Sequence, residues 1–197
     1  MKTIGWNAIK RPALLALALC AALAIARPAL ADTFSVSADL PFASSLTLKP
    51  GVGTSGSQTL SDTSVSGFTA AVSFSWLGLD YEDYASSFSK SGLKFDYNVQ
   101  MYDILLNLPI PVVDVVIGGG VGNGSFSNCK LNGVGCTFQL KTANLTGYFA
   151  SLGIPIFPLI DLHLGYHVFS GTNDSKVGGS NEKVNGDMYS LGIKVGF

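Results

Sequence analysis

The residues of this chain whose types could do chemistry are two histidines and a scatter of carboxylates and lysines. His163 and His167 are the only histidines. They lie in an alternating stretch, with Ile160, Leu162, Leu164, Tyr166 and Val168 set against Asp161, His163, Gly165 and His167. Residues four apart on a strand share a face but sit ~13 Å apart at about 3.3 Å per residue. They cannot chelate one metal ion as two histidines one helical turn apart would. A hydrolase needs a nucleophile within hydrogen-bond reach of its base. Ser170 follows His167 closely, but its parity puts it on the opposite face. No catalytic group, metal site or cofactor is therefore expected.

Other motifs are equally spare. The run Gly118-Gly119-Gly120-Val121-Gly122-Asn123-Gly124 lacks the Lys-Ser/Thr of a phosphate-binding loop. Glycines in a strand more simply allow bending or close packing. Cys129 and Cys136 stand in a Ser/Gly/Asn-rich segment with no histidine nearby. In an exported chain they read as a loop-closing disulfide.

The elements that must position these residues are strands. Period-2 alternation marks eight of them. They start near Phe34, Phe68, Leu79, Phe95, Val113, Phe138, Ile160 and Tyr189. Pro41 makes the course of the first uncertain. The connections alternate in kind. Two of the short ones are apolar and proline-rich: Asn107-Leu108-Pro109-Ile110-Pro111 and Ile154-Pro155-Ile156-Phe157-Pro158. The polar ones cover roughly 50–66, 85–93, 125–136 and 171–186. Hydrophobic residues make up 47% of the chain and charged residues 13%, below the ~25% charge usual in soluble domains. Beyond residue 31 no stretch of eighteen consecutive apolar residues occurs. Apolar enough for a membrane but without helical spans, the chain is expected to close into a barrel, the remaining solution for crossing hydrocarbon.

Alternation then sorts the charges. Asp114, Asp161, His163, His167 and Lys194 lie between apolar residues on their strands, and Asp80, Glu82, Asp96 and Lys141 are expected to do likewise. A lysine facing hydrocarbon costs ~2–4 kcal/mol near the midplane. All nine are therefore expected to point inward, as a polar network filling the lumen. An eight-stranded barrel is just wide enough for side chains to fill. Trp76, Phe157 and Phe197 are expected at one rim, and Tyr84, Phe88, Phe126 and Phe169 at the other.

Both ends suggest export to the same place. Lys2, Lys10 and Arg11 precede an apolar stretch from Ala13 to Ala26 and the small-x-small site Ala29-Leu30-Ala31. This reads as a signal peptide over residues 1–31, leaving residues 32–197 as the barrel. The apolar stretch is short for a membrane anchor. Removing that segment leaves eight lysines against thirteen acidic residues, a net charge of −5 with no arginine. Nucleic acid is not an expected partner. At the other end Tyr189, Leu191, Ile193, Val195 and Phe197 alternate to the last residue.

That terminal Tyr-x-Leu-x-Ile-x-Val-x-Phe resembles the C-terminal strand recognised by the bacterial barrel-assembly machinery. With the signal peptide, the strand count and the loop asymmetry, the chain resembles the small eight-stranded outer-membrane proteins of the OmpA-membrane-domain, OmpX and OmpW type. The resemblance implies an all-β, transmembrane, antiparallel up-and-down barrel in the bacterial outer membrane. It implies a monomer whose partners are outer-membrane lipid, lipopolysaccharide and, during biogenesis, the assembly machinery. It is weaker for function. The first expectation is a structural or surface-interaction barrel. The alternative is a narrow channel, or an OmpW-like carrier of small hydrophobic molecules.

Overall fold

The computed structural model describes residues 33–49, 57–108, 110, 113–135, 142–173 and 182–197. The strands are β1 (Phe34–Lys49), β2 (Gln58–Phe74), β3 (Leu77–Lys90), β4 (Leu93–Leu108), β5 (Asp114–Leu131), β6 (Val134–Gly135), β7 (Ala143–Phe157), β8 (Ile160–Asn173) and β9 (Glu182–Gly196). β6 is a two-residue arm folded back on the end of β5. The other eight pair antiparallel in chain order, and β9 returns to β1. The cylinder is therefore closed. Closure satisfies the ladder hydrogen bonds within the sheet and leaves no edge, as a hydrocarbon solvent demands. At the seam the Phe34 N–H donates to the Phe197 carbonyl (3.2 Å) and the Phe197 N–H to the Phe34 carbonyl (2.8 Å). Their rings stack at 6.4 Å.

The eight expected strands are present, but several run further than their alternation suggests. Residues 58–66 belong to β2, 85–90 to β3 and 125–131 to β5, all segments that read as loop. The connection from β3 to β4 is only Ser91-Gly92, with φ of 50° and 82°. Two left-handed residues are what a two-residue hairpin turn requires. Wall strands have 14 to 18 residues, whereas a tilted strand crosses a bilayer in about 9–11. The surplus must stand in water, and it stands on the loop side.

Burial follows that division. On the turn-side half, apolar residues face out and mostly polar ones face in, with a small apolar cluster of Ala71, Leu105, Val116 and Phe149 among them. Outward lie Val36, Leu40, Val72, Leu79, Ile104, Ile117, Leu152, Leu164, Leu191 and Ile193, all exposed. On the loop-side half the pattern reverses. Leu46, Leu60, Tyr84, Phe88, Phe95, Tyr97, Val99, Met101, Leu145, Phe169, Val184 and Met188 form one buried cluster inside the barrel. The outward residues of β4 at that level are Lys94, Asp96, Asn98 and Gln100.

β1 shows how one strand serves both halves. Its even-numbered residues from Phe34 to Leu48 are apolar except Ser44. A register shift between Pro41 and Ala43 against β9 inserts a bulge. Before it Phe34, Val36 and Leu40 are exposed, as is Phe42 at the bulge; after it Leu46 is wholly buried. The extra residue switches which face the even positions occupy. Pro41, which costs a ladder donor, sits at this irregularity, where a proline is tolerated.

Two aromatic girdles bound the apolar belt. Trp76, Phe157 and Phe197 are exposed on the turn side, as expected. The loop-side expectation is corrected. Tyr84, Phe88 and Phe169 are buried in the interior cluster, and Phe126 packs against it. The rings on the outside are Phe42, Phe68, Tyr81, Tyr102, Tyr148, Tyr166 and Tyr189. Several touch neighbours, such as Tyr81 with Tyr102 (5.1 Å) and Tyr166 with Tyr189 (4.9 Å). From Tyr189 to Phe197 is eight residues, ~26 Å along the strand at about 3.3 Å each. Tilted by about 40°, that spans roughly 20 Å, close to the apolar band of a transmembrane barrel.

Candidate functional site

The chemistry-bearing side chains meet in the lumen of the turn-side half. Strand alternation places them there: Asp80 and Glu82 on β3, Asp103 on β4, Asp114 on β5, Ser151 on β7, Asp161, His163 and His167 on β8, and Ser190 and Lys194 on β9. All are buried except Asp114, which is 15% exposed. Asp39 of β1, also buried, completes the ring.

Two groups form within it. In the lower one, the Lys194 ammonium donates to Asp114 Oδ2 at 2.8 Å and to Asn107 Oδ1 at 3.4 Å. His163 Nε2 lies 3.0 Å from the same Asp114 oxygen. His163 Nδ1 and the Ser151 hydroxyl are 3.2 Å apart. Gly153 on β7 makes this possible. A Cβ there would meet His163 Nε2 at 2.5 Å and Asp114 Cβ at 2.9 Å. A cavity of about 20 Å³ adjoins this group and is bordered by Asp39, Ser73, Asp80, Ser151, His163 and Lys194. That is room for about one water molecule.

In the upper group His167 Nδ1 makes a short contact with Glu82 Oε1. The His167 ring packs on Phe149 at 4.3 Å. One carboxylate oxygen each of Asp80, Glu82 and Asp103 lie within 4.8 Å of one another. Gly120 of β5 leaves space for Asp103, whose Oδ1 a Cβ would meet at 2.6 Å. The apolar cluster begins directly above.

Of the expected lumen residues, Asp80, Glu82, Asp114, Asp161, His163, His167 and Lys194 line this interior. The two histidines sit in different groups. Asp96 does not belong. It lies on the outer face of β4, where Ser87 Oγ donates to it at 2.6 Å and Asn128 Nδ2 at 2.6 Å. The apolar residues Phe95, Tyr97, Val99 and Met101 take the interior instead, because this stretch is above the lipid. Lys141 and Cys136 lie outside the described residues; Cys129 is disulfide-bonded.

Four interior residues, Asp39, Asp103, Ser151 and Ser190, escaped the sequence reading. Asp39 could have been found, since it alternates against Val36, Ala38 and Leu40. Asp103 carried a warning. It shares parity with Met101, so placing Met101 on lipid would have put a carboxylate there too. Ser151 joins His163 only through the β7–β8 register, in which Gly153 pairs with His163; no spacing in the sequence announces it.

Closed antiparallel topology, an apolar belt between two aromatic girdles and a polar interior define the fold of the small bacterial outer-membrane β-barrels, and this chain has that fold. No family model and no curated protein matches its sequence. Among solved structures it is similar to Neisserial surface protein A, with a TM-score of 0.60 and 18% identity over 84% of this chain and 97% of that one. Matches to the outer membrane protein OprG from Pseudomonas aeruginosa (TM-score 0.45, 11% identity, covering 83% and 95%) and to Ail, the attachment invasion locus protein of Yersinia pestis (0.44, 17%, 81% and 97%), are weaker.

Proposed function

We propose that this chain is an integral outer-membrane barrel with a filled lumen, acting as a structural element or a platform for surface interactions. It is neither a pore nor an enzyme. The observation that carries this reading is how the interior is filled. Apolar side chains occupy the loop-side half. Buried polar groups and a small apolar cluster occupy the turn-side half around a cavity of about 20 Å³. A hydrated ion or a small solute needs more.

The belt of exposed apolar residues appears on all eight wall strands. It favours a monomer surrounded by lipid, with lipopolysaccharide at the outer leaflet. Export by a signal peptide over residues 1–31, and recognition of β9 by the barrel-assembly machinery, complete the proposal. The loop-side rim, polar on its outer face, is the surface offered to partners.

The Ser151–His163–Asp114 alignment is read as structural. In serine hydrolases the histidine Nε2 faces the nucleophile and Nδ1 the carboxylate; here the nitrogens are exchanged. Asp114 is also claimed by Lys194, and the adjoining cavity of about 20 Å³ is too small for a substrate.

Planar-bilayer recording of the purified barrel tests this reading. A folded barrel that gives no discrete current steps supports it. Reproducible single-channel steps would replace it with the narrow-channel alternative. Labelling of Ser151 by a fluorophosphonate would overturn the non-enzymatic part.

A further inference from the structure

The two buried acidic groups differ in how their charge is met. Asp114 has the Lys194 ammonium at 2.8 Å. Around Asp80, Glu82 and Asp103, no lysine lies within ion-pair distance among the described residues. The one basic neighbour is His167, on Glu82. Yet the three are 5%, 2% and 2% exposed, and each keeps one oxygen with no hydrogen-bond partner.

Two further side chains face the group from outside it. Asp39, on β1, is in electrostatic range of Asp80 and Glu82. It is 5% exposed, and its Oδ1 has no partner. Tyr84 follows Glu82 on the inner face of β3, in electrostatic range of Glu82 and Asp103. It is 3% exposed, and its hydroxyl is also unpartnered. Buried polar atoms are nearly always satisfied, so unpartnered oxygens on three carboxylates this close together, with two more on interacting neighbours, ask for a missing partner. All are acceptors or hydroxyls, the donor set of a hard cation.

We propose that Asp80, Glu82 and Asp103, with Asp39 and the Tyr84 hydroxyl beside them, bind one divalent cation of the calcium or magnesium class inside the barrel. The spacing fits. Oxygens around calcium lie at about 2.3–2.6 Å, so ligands on opposite sides are about 4.6–5.2 Å apart and adjacent ones closer. One oxygen from each of the three carboxylates falls within 4.8 Å of the others. The neighbouring cavity touches Asp39 and Asp80 and can hold a water ligand. The ion would do for the upper group what Lys194 does for the lower. It would also tie β1, β3 and β4 together across the lumen.

The test uses protein extracted from outer membranes into detergent, stripped with EGTA and titrated calorimetrically with calcium chloride alone, then with magnesium chloride. One saturable site per chain is expected. Glu82→Gln and Asp103→Asn should each weaken binding at least tenfold. Asp83→Asn, on the outer face, should bind as the parent does. Heat-modifiable gel mobility establishes that each variant is folded. If either interior variant fails to fold, terbium luminescence decides. Emission sensitised by tyrosine, displaced by calcium and reduced at least fivefold in Tyr84→Phe, supports the site. No saturable binding of either ion by the folded parent overturns the proposal. So does unchanged binding in the folded variants, or terbium emission indifferent to Tyr84.

Discussion

Replacing Lys194 by methionine should be among the most damaging single changes in the lower lumen. Lys194 is 6% exposed, and its ammonium lies 2.8 Å from Asp114 Oδ2. At an effective dielectric of about 20, that separation corresponds to roughly 6 kcal/mol of gross Coulomb attraction. Desolvating the two ions offsets most of this, so the pair itself adds little net stability. Removing one partner is different, because the carboxylate stays behind unpaired. Breaking a buried pair costs about 3–5 kcal/mol. Asp114 is 15% exposed and keeps His163 at 3.0 Å, which argues for the lower end, ~3 kcal/mol. That is roughly a 150-fold shift in the unfolding equilibrium. Lys194→Met/Asp114→Asn should recover most of the loss, since neither charge then remains. The assay is reversible urea unfolding in lipid vesicles, followed by fluorescence of Trp76, exposed at the turn-side girdle. A loss below about 1 kcal/mol for Lys194→Met would refute the reasoning, as would a double variant no more stable than the single.

Three further outcomes follow from the same geometry. Ile193→Lys, midway between Tyr189 and Phe197 on the outer face, should cost about 2–4 kcal/mol in the same assay, against under ~0.5 kcal/mol for Gln100→Lys above the Tyr102 girdle; equal costs would misplace the belt. Gly124→Ala should cost about 1–3 kcal/mol by overpacking, because its Cβ would meet Tyr97 Cζ at 2.5 Å and Leu145 Cδ1 at 3.1 Å. Tyr97→Leu in that background should regain part of the loss, and no regain would mean that backbone strain, not side-chain volume, is responsible. Deleting Phe197 or changing it to Asp removes a ring stacked on Phe34 across the closing seam, so outer-membrane levels of the folded protein should fall while export persists; unchanged levels on heat-modifiability gels would contradict this.

The strands and their closure were legible because hydrophobic alternation records a two-faced sheet. Its sign was not. Phe95, Tyr97, Val99 and Met101 alternate with polar residues just as Leu162, Leu164 and Tyr166 do, yet the first set is inside and the second outside. The pattern says which residues share a face; only the height on the barrel says which face is apolar. That is why Asp96 was misplaced and why Tyr84, Phe88 and Phe169 read as a girdle. Strand ends were hidden for the same reason. Above the lipid the outer face of β2 carries Thr59, Ser61, Thr63 and Ser64, which read as loop because their polar face meets water. Lumen charges on single strands were readable one at a time. Their grouping depended on register across strands, as with Ser151 and His163.

The account rests on the reversal of faces at the loop-side girdle, and β4 tests it most directly. Nitroxide labels placed singly at positions 98, 100, 102, 104 and 106, all on the outer face, can be probed in lipid vesicles by collision with oxygen and with a water-soluble nickel chelate. Oxygen contact should dominate at 104 and 106, change over at 102, and give way to the nickel chelate at 98 and 100. Lipid-like contact continuing through 98 would contradict the two-level barrel, because the apolar belt would then extend over Asn98 and Gln100 with Phe95, Tyr97 and Val99 at lipid depth.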